Sequence, residues 1–290
     1  MQLAVLDRLR LPGFSGSTFA ARLARWGLGI SLIYIVIAIA APLLQSLGWI
    51  QNPTEALLNP IHAAPSWQHW FGTTRQGYDV FSRTLFGTRV ALQVVLLGTS
   101  LSLAIGVPLG LIAGYWGGWL DRALVFLMDV VYTLPGLLLS ITLAFVVGRG
   151  VPNAAIALSI AYVPQYFRVV RNQTASVKSE PYIEAARSLG ASTPHILRKY
   201  LVANVIQSVP VLFTLNAADA VLILGGLGFL GLGLPEAVPE WGYDLRQALD
   251  ALPTGIWWTA LFPGLAMTLL VVALSLLGEG LGETLQPQRR

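Results

Sequence analysis

The 290-residue chain is 55% hydrophobic and only 11% charged, against about 25% charged residues in an ordinary soluble domain. So few charges cannot cover a water-facing surface, and a chain this apolar is not a disordered one. Cysteine is absent, which excludes disulfide scaffolds, thiolate metal sites and cysteine nucleophiles.

A basic segment, residues 1–25, comes first, with Arg8, Arg10, Arg22 and Arg25. Six apolar runs follow at Trp26–Leu47, Val90–Ala113, Ala123–Val147, Ala154–Val170, Leu201–Leu224 and Thr259–Leu277. Each is near the roughly 20 residues that cross a bilayer as a helix. The runs are continuous rather than alternating in period two, so they predict helices and not barrel strands. The fold class expected is therefore all-α, a polytopic membrane protein with about six transmembrane helices. The first run continues past Ala38-Ile39-Ala40 to Leu47, and reads as a retained helix over 26–47 rather than a cleaved leader. An extracytoplasmic loop over 48–89, a core over 90–285 and a tail at 286–290 complete the layout. Pro108, Pro135, Pro210 and Pro263 fall inside runs and predict kinks. The glycine-dense stretch Gly225–Gly233 permits either close helix approach or a non-helical turn.

Charge sets the orientation. With an inside amino terminus, thirteen basic residues fall on the cytoplasmic side: Arg8, Arg10, Arg22, Arg25, Arg122, Arg168, Arg171, Lys178, Arg187, Arg198, Lys199, Arg289 and Arg290. Five, namely Arg75, Arg83, Arg89, Arg149 and Arg246, fall on the other. That is the positive-inside bias, with both termini cytoplasmic. The net charge of +4 thus reflects topology, and no nucleic-acid partner is implied.

The connection over 179–200, between the fourth and fifth runs, reads as structure. Ser179 suits an N-cap, Pro181 the first turn and Gly190 the C′ position. Thr193 and Pro194 open a second short helix. Tyr182, Ala185, Ala186 and Leu189 share one face, and Glu184 can pair with Arg187 on the other. The segment fits either a partner's surface or an amphipathic loop resting on headgroups.

Catalytic signatures are missing. There is no G-x-x-x-x-G-K-[ST] phosphate loop, no Gly-x-Ser-x-Gly elbow, and no metal spacing among His62, His69 and His195. The chain is not expected to be an enzyme, to hold a cofactor or to bind a metal. Ionisable groups inside spans are costly and point to function. Asp129 and Asp219 are such groups, and Asn216 shares a helical face with Asp219. These three are the candidate pathway-lining residues. A structural reading also fits, with Asp129 paired to Arg122 or a basic group near the inner interface and Asp219 hydrogen-bonded to a neighbouring helix.

Glu184-Ala185-Ala186-x-x-x-Gly190, followed by Ile196-Leu197 and Asn204, resembles the EAA loop of bacterial ABC-importer permeases. More narrowly, the chain resembles the C-type permease subunit of the dipeptide, oligopeptide and nickel importers. Phe71-Gly72-Thr73, Gly77-x-Asp79-Val80-x-Ser82-Arg83 and Gly87-x-Arg89 match that family's entry to its second span. Phe229-Leu230-Gly231-Leu232-Gly233 and Pro239-x-Trp241-Gly242 match the stretch before its last span. Thr74, Tyr78, Leu224, Gly225 and Gly228 depart from the pattern. The resemblance implies an inner-membrane permease that pairs with a second, homologous permease. One or two cytoplasmic ATPase subunits, holding ATP and Mg, would receive Glu184, Ala185, Ala186, Leu189 and Gly190. An extracytoplasmic binding protein would deliver the solute. The rival classes are an ion-gradient-driven transporter, which would show internal repeats, and a membrane scaffold for a cytoplasmic partner.

Overall fold

The computed structural model describes residues 18–285; Arg8, Arg10 and the tail at 286–290 lie outside the described residues. Helix α1 (Phe19–Ser46) opens on Thr18, whose hydroxyl oxygen accepts the Ala21 N–H. A loop over 47–79 leads to α2 (Val80–Trp116), where the Asp79 carboxylate accepts the Ser82 N–H at 2.8 Å. At 37 residues α2 is about 55 Å long, far more than the roughly 30 Å of hydrocarbon. Next come α3 (Gly118–Tyr132), α4 (Gly136–Val147) and α5 (Val151–Lys178). Two short helices, α6 (Pro181–Ser188) and α7 (Thr193–Ile196), precede a π turn at Leu197–Leu201 and α8 (Val202–Val205). The chain closes with α9 (Val209–Phe229), α10 (Trp241–Ala248), a 3₁₀ turn at Leu252–Thr254 and α11 (Trp258–Leu285). Apart from an isolated bridge between Thr73 and Asp79, no strand occurs among the described residues.

Four helices (α1, α2, α9 and α11) are long and apolar enough to cross a membrane, and α3 with α4 makes a fifth span only as a pair bent by 88°. This corrects the straight third span expected over 123–147. Pro135 lacks an N–H and restricts Leu134, so the chain breaks there and restarts as α4. The fourth span, expected over 154–170, runs instead as the 28-residue α5 and fails the test of apolarity. It is long enough, but its polar side chains, Ser159, Tyr162 and Tyr166 among them, are buried in the bundle rather than facing lipid. The fifth starts late, because the helix is interrupted at 206–208 and Pro210 sits in the first turn of α9. Of the four prolines, only Pro108 and Pro263 lie in helix interiors, Pro210 being in a first turn and Pro135 at a cap.

Packing explains how α5 tolerates its polarity. Gly106, Gly110 and Gly114 recur every four residues along α2, so its backbone lies directly on α5. A Cβ at Gly106 would meet the Tyr166 Cβ at 2.7 Å, and one at Gly114 would meet the Arg171 carbonyl at 2.6 Å. The main core fills the space among α2, α5, α9 and α11 with Val94, Leu158, Tyr162, Ala220, Leu224 and Leu270. Helix α1 leans on α11, where the Tyr34 hydroxyl donates to the Ala266 carbonyl at 2.7 Å.

The end opposite α6 is closed by α10. Buried Trp241 donates its indole N–H to the Thr84 carbonyl at 3.0 Å, and its ring lies where a Cβ on Gly87 would go. Arg83, 1% exposed, donates to Asp244 at 2.8 Å. The Gly225–Gly233 stretch serves both expected roles. Gly225 stays helical and lets Gly242 approach its carbonyl, while Gly231 turns the chain at positive φ. Glu240 caps α10 by accepting the Gly242 and Tyr243 N–H groups at 2.8 and 2.9 Å.

Burial pushes the Glu240 carboxyl up to about 7, against the two N–H bonds and Arg83, which favour the charged form. The folded state therefore binds this proton more tightly than the unfolded chain. The stabilisation is complete below the ordinary carboxyl value and is lost as pH rises through about 7. Detergent-solubilised protein is expected to lose thermal stability between pH 5 and pH 8, and Glu240→Gln should flatten that slope. An equal slope in wild type and variant would contradict this origin.

Candidate functional site

The 179–200 connection forms an elbow built of α6 and α7. Ser179 turns back, its hydroxyl donating to the Ser176 carbonyl at 2.8 Å, and so closes α5 instead of capping α6 as expected. Glu180 occupies the cap position of α6 without a side-chain bond, and Pro181 fixes φ at the first position. The end of α6 is closed twice. The Gly190 N–H donates to the Arg187 carbonyl and the Ala191 N–H to the Ala186 carbonyl, both at 3.0 Å. Gly190 sits at φ +82°, and nothing lies within 4 Å of where a Cβ would be. Its requirement is thus conformational, and its surface is open. Thr193 and Pro194 open α7 as expected, with Ser192 in the cap position.

The expected shared face divides. Ile183 and Ala186 point inward, Ile183 onto Tyr115, Ile196 and Leu201. Glu184, Ala185 and Gly190 are exposed, Tyr182 likewise, and Leu189 is 89% exposed. Ala186, at 9%, belongs to the elbow's inner side, displaced there by the anchor Ile183 one turn earlier. A shallow cavity of about 390 Å³ opens between Leu189, Gly190, His195 and Tyr200. Glu184 and Arg187 do not pair among the described residues.

Bonds that sequence reasoning missed tie the elbow to the bundle. Lys178 donates to the Tyr115 carbonyl at 2.5 Å, and the Tyr115 hydroxyl reaches Thr193 at 3.4 Å. Arg171 grips both oxygens of Asp121, at 2.8 and 2.5 Å, joining α5 to the first turn of α3. Asn204 donates to the Tyr200 carbonyl and the Tyr182 hydroxyl, so it serves the elbow. Only the excess of basic residues in these segments hinted at such ties.

Within the bundle a polar seam runs between α5 and α9. The Tyr162 hydroxyl donates to Asp219 at 2.8 Å, and Gln173 donates to Ser208 at 2.5 Å. Between these bonds, buried Tyr166 and Asn216 lie side by side, the Asn216 amide placed to donate to the Tyr166 hydroxyl. Asp219 itself is exposed, on a stripe with Leu215 and Leu222. Asp129 stands apart from this seam. It pairs with Arg168 at 2.6 Å, and the Arg168 guanidinium lies 3.9 Å over the Tyr132 ring. Of the two kinds of partner expected, Asp129 thus takes a basic group near the inner interface, while Arg122 donates to the Gly118 carbonyl. Of the candidate pathway residues, Asn216 and Asp219 come together and Asp129 does not. No cluster of His, Asp and Glu able to hold a metal occurs among the described residues.

Residues 106–290 match the family described as the binding-protein-dependent transport system inner membrane component. A dipeptide transport system permease protein of Alkalihalophilus pseudofirmus is 37% identical over 273 residues, covering 93% of this chain and 87% of that protein. A glutathione transport system permease protein of Pectobacterium atrosepticum is 37% identical over 228 residues, covering 79% and 75%. Among solved structures, an inward-facing form of the MetNI methionine ABC transporter shares the fold. Its TM-score is 0.55 at 20% identity, covering 72% of this chain and 97% of that one. The chain therefore belongs to the inner-membrane components of binding-protein-dependent transport systems, the permeases of ABC importers.

Proposed function

We propose that this chain forms half of the translocation path of an ATP-driven importer for peptides or a glutathione-like solute. A second, homologous permease would supply the other half, and one or two separate cytoplasmic ATPase subunits would hold ATP and Mg. An extracytoplasmic binding protein would present the solute. Family membership favours this reading over an ion-gradient-driven transporter or a scaffold, and the relatives' names supply the solute class.

The observation that carries the proposal is the elbow. It exposes Glu184, Ala185, Leu189 and Gly190, while its inner face is locked to α2 and α5 through Ile183, Tyr115 and Lys178. A surface that is free outside and rigid inside passes on a push. A partner that binds one arrangement of the helices better than another shifts their populations through such a contact. The positive-inside charge pattern supports a cytoplasmic elbow, with both termini on the same side of the membrane.

On the pathway, Asp219 is oriented by Tyr162 through one oxygen, which leaves the other available. A carboxylate held in this way suits the ammonium group that a peptide or glutathione carries. Tyr166 and Asn216, buried beside this pair, extend the polar seam between α5 and α9.

In cells that express the chain with its partner subunits, Glu184→Lys should lower peptide uptake by about tenfold while ATP hydrolysis and membrane insertion persist. Unchanged uptake would reject the coupling role. Asp219→Asn should lower uptake of a free dipeptide by about tenfold and leave its N-acetylated analogue unaffected. An equal loss for both solutes would assign Asp219 to structure instead of recognition.

A further inference from the structure

Among the described residues, the arginines that are buried or half-buried are paired with a carboxylate, with one exception. Arg83 meets Asp244, Arg168 meets Asp129 and Arg171 meets Asp121. Arg89, nine residues into α2, makes no ion pair or hydrogen bond among the described residues. Its side chain instead lines an open-sided groove of about 370 Å³ between α1 and α2. The walls are apolar: Ile35, Ala38 and Ile39 on one side, Leu92 and Leu96 on the other, with Gln93 the second polar group. Ile39 is 73% exposed and Leu96 44%, so the groove opens away from the core. A lone guanidinium on such a face is costly in hydrocarbon and calls for an anion.

Depth and direction identify the anion. The Val80 N–H donates to the Gly72 carbonyl, and the Trp258 indole donates to the neighbouring Thr73 carbonyl. The starts of α2 and α11 are therefore level, at a boundary marked by Trp257 and Trp258. Arg89 lies about 13 Å below that boundary along α2. Helical side chains lean toward the helix amino terminus, so its guanidinium rises toward the headgroups. Antiparallel to α2, α1 lines the groove with Ile35, Ala38 and Ile39, of which Ile39 lies nearest the boundary. The order from boundary to interior is thus cation, amide, then aliphatic walls, which is the reverse complement of an anionic amphiphile. A volume near 370 Å³ suits an acyl segment with its phosphate better than a helix about 10–12 Å across.

We propose that the groove between α1 and α2 is a phospholipid site, in which Arg89 binds the phosphate of an anionic lipid, Gln93 its glycerol ester and the aliphatic walls its acyl chain. The site lies on the outer side of the α1–α2 pair, away from the seam at Asp219, and does not depend on which solute is carried.

The test is native mass spectrometry of the full-length chain after reconstitution into phosphatidylcholine vesicles containing about one-fifth phosphatidylglycerol, so that anionic lipid is the minority competitor. Wild type should retain one phosphatidylglycerol with about fivefold preference over phosphatidylcholine, the selectivity that one cationic contact near a charged headgroup provides. Arg89→Gln should fall to no preference, Arg89→Lys should keep most of it, and Leu96→Trp should lose lipid of both kinds by filling the groove. Retention by wild type without preference, or preference undiminished in Arg89→Gln, would overturn the proposal. A disulfide cross-link from Gln93→Cys to a second permease subunit would also overturn it, by making the groove a protein interface. Arg89→Lys folding normally while Arg89→Gln fails to insert would be resolved by Leu96→Trp, whose charge is intact.

Discussion

The close approach of α2 to α5 governs the rest of the structure. In a bilayer two apolar helices gain little by meeting, because lipid solvates each as well as the other does, and packing decides. Gly106, Gly110 and Gly114 remove the side chains that would hold the helices apart, and the α5 backbone occupies that space. A long surface of α5 is thereby withdrawn from lipid, and a helix too polar to span on its own is accommodated. The pairing continues to the elbow end, where Lys178 and Tyr115 join the last turns of the two helices. The elbow thus hangs from a two-helix beam and not from a flexible loop.

Charge is distributed according to the same logic. Interior arginines that serve structure are matched by carboxylates on other helices, and the Arg83–Asp244 pair locks α10 onto α2 at the far end from the elbow. Removing one member of such a buried pair leaves an uncompensated charge, which costs about 3–5 kcal/mol. Asp219 and Arg89 escape this pattern. Asp219 has only a tyrosine hydroxyl, and Arg89 has no polar partner among the described residues. Two charges without a countercharge thus lie on different helices of one bundle, Asp219 on α9 beside α5 and Arg89 on α2 beside α1.

Much of this was legible in the residues. The elbow's closure at Gly190 follows from a glycine placed where a left-handed residue ends a helix, and φ +82° agrees. The runs of apolar residues locate the helices, because in lipid each backbone group must bond within its own helix. Other features were not legible, for definite reasons. Pro135 in an apolar run has the same appearance whether it causes a mild kink or the 88° break. Hydropathy reports composition and not shielding, so α5 was read as eleven residues shorter than its 28. The Arg83–Asp244 pair joins residues 161 apart, which no local pattern reveals. The inward turn of Ala186 depends on Ile183 winning the core position against Tyr115, a tertiary contact.

The central claim is that the elbow is a cytoplasmic surface, rigidly carried by α2 and α5 and open to a partner. Because the chain has no cysteine, a single cysteine placed at Leu189 can be probed without background. A membrane-impermeant thiol reagent should modify it in inverted vesicles and not in right-side-out ones, and the cytoplasmic ATPase should protect it when bound. Labelling from the extracytoplasmic face would contradict the account.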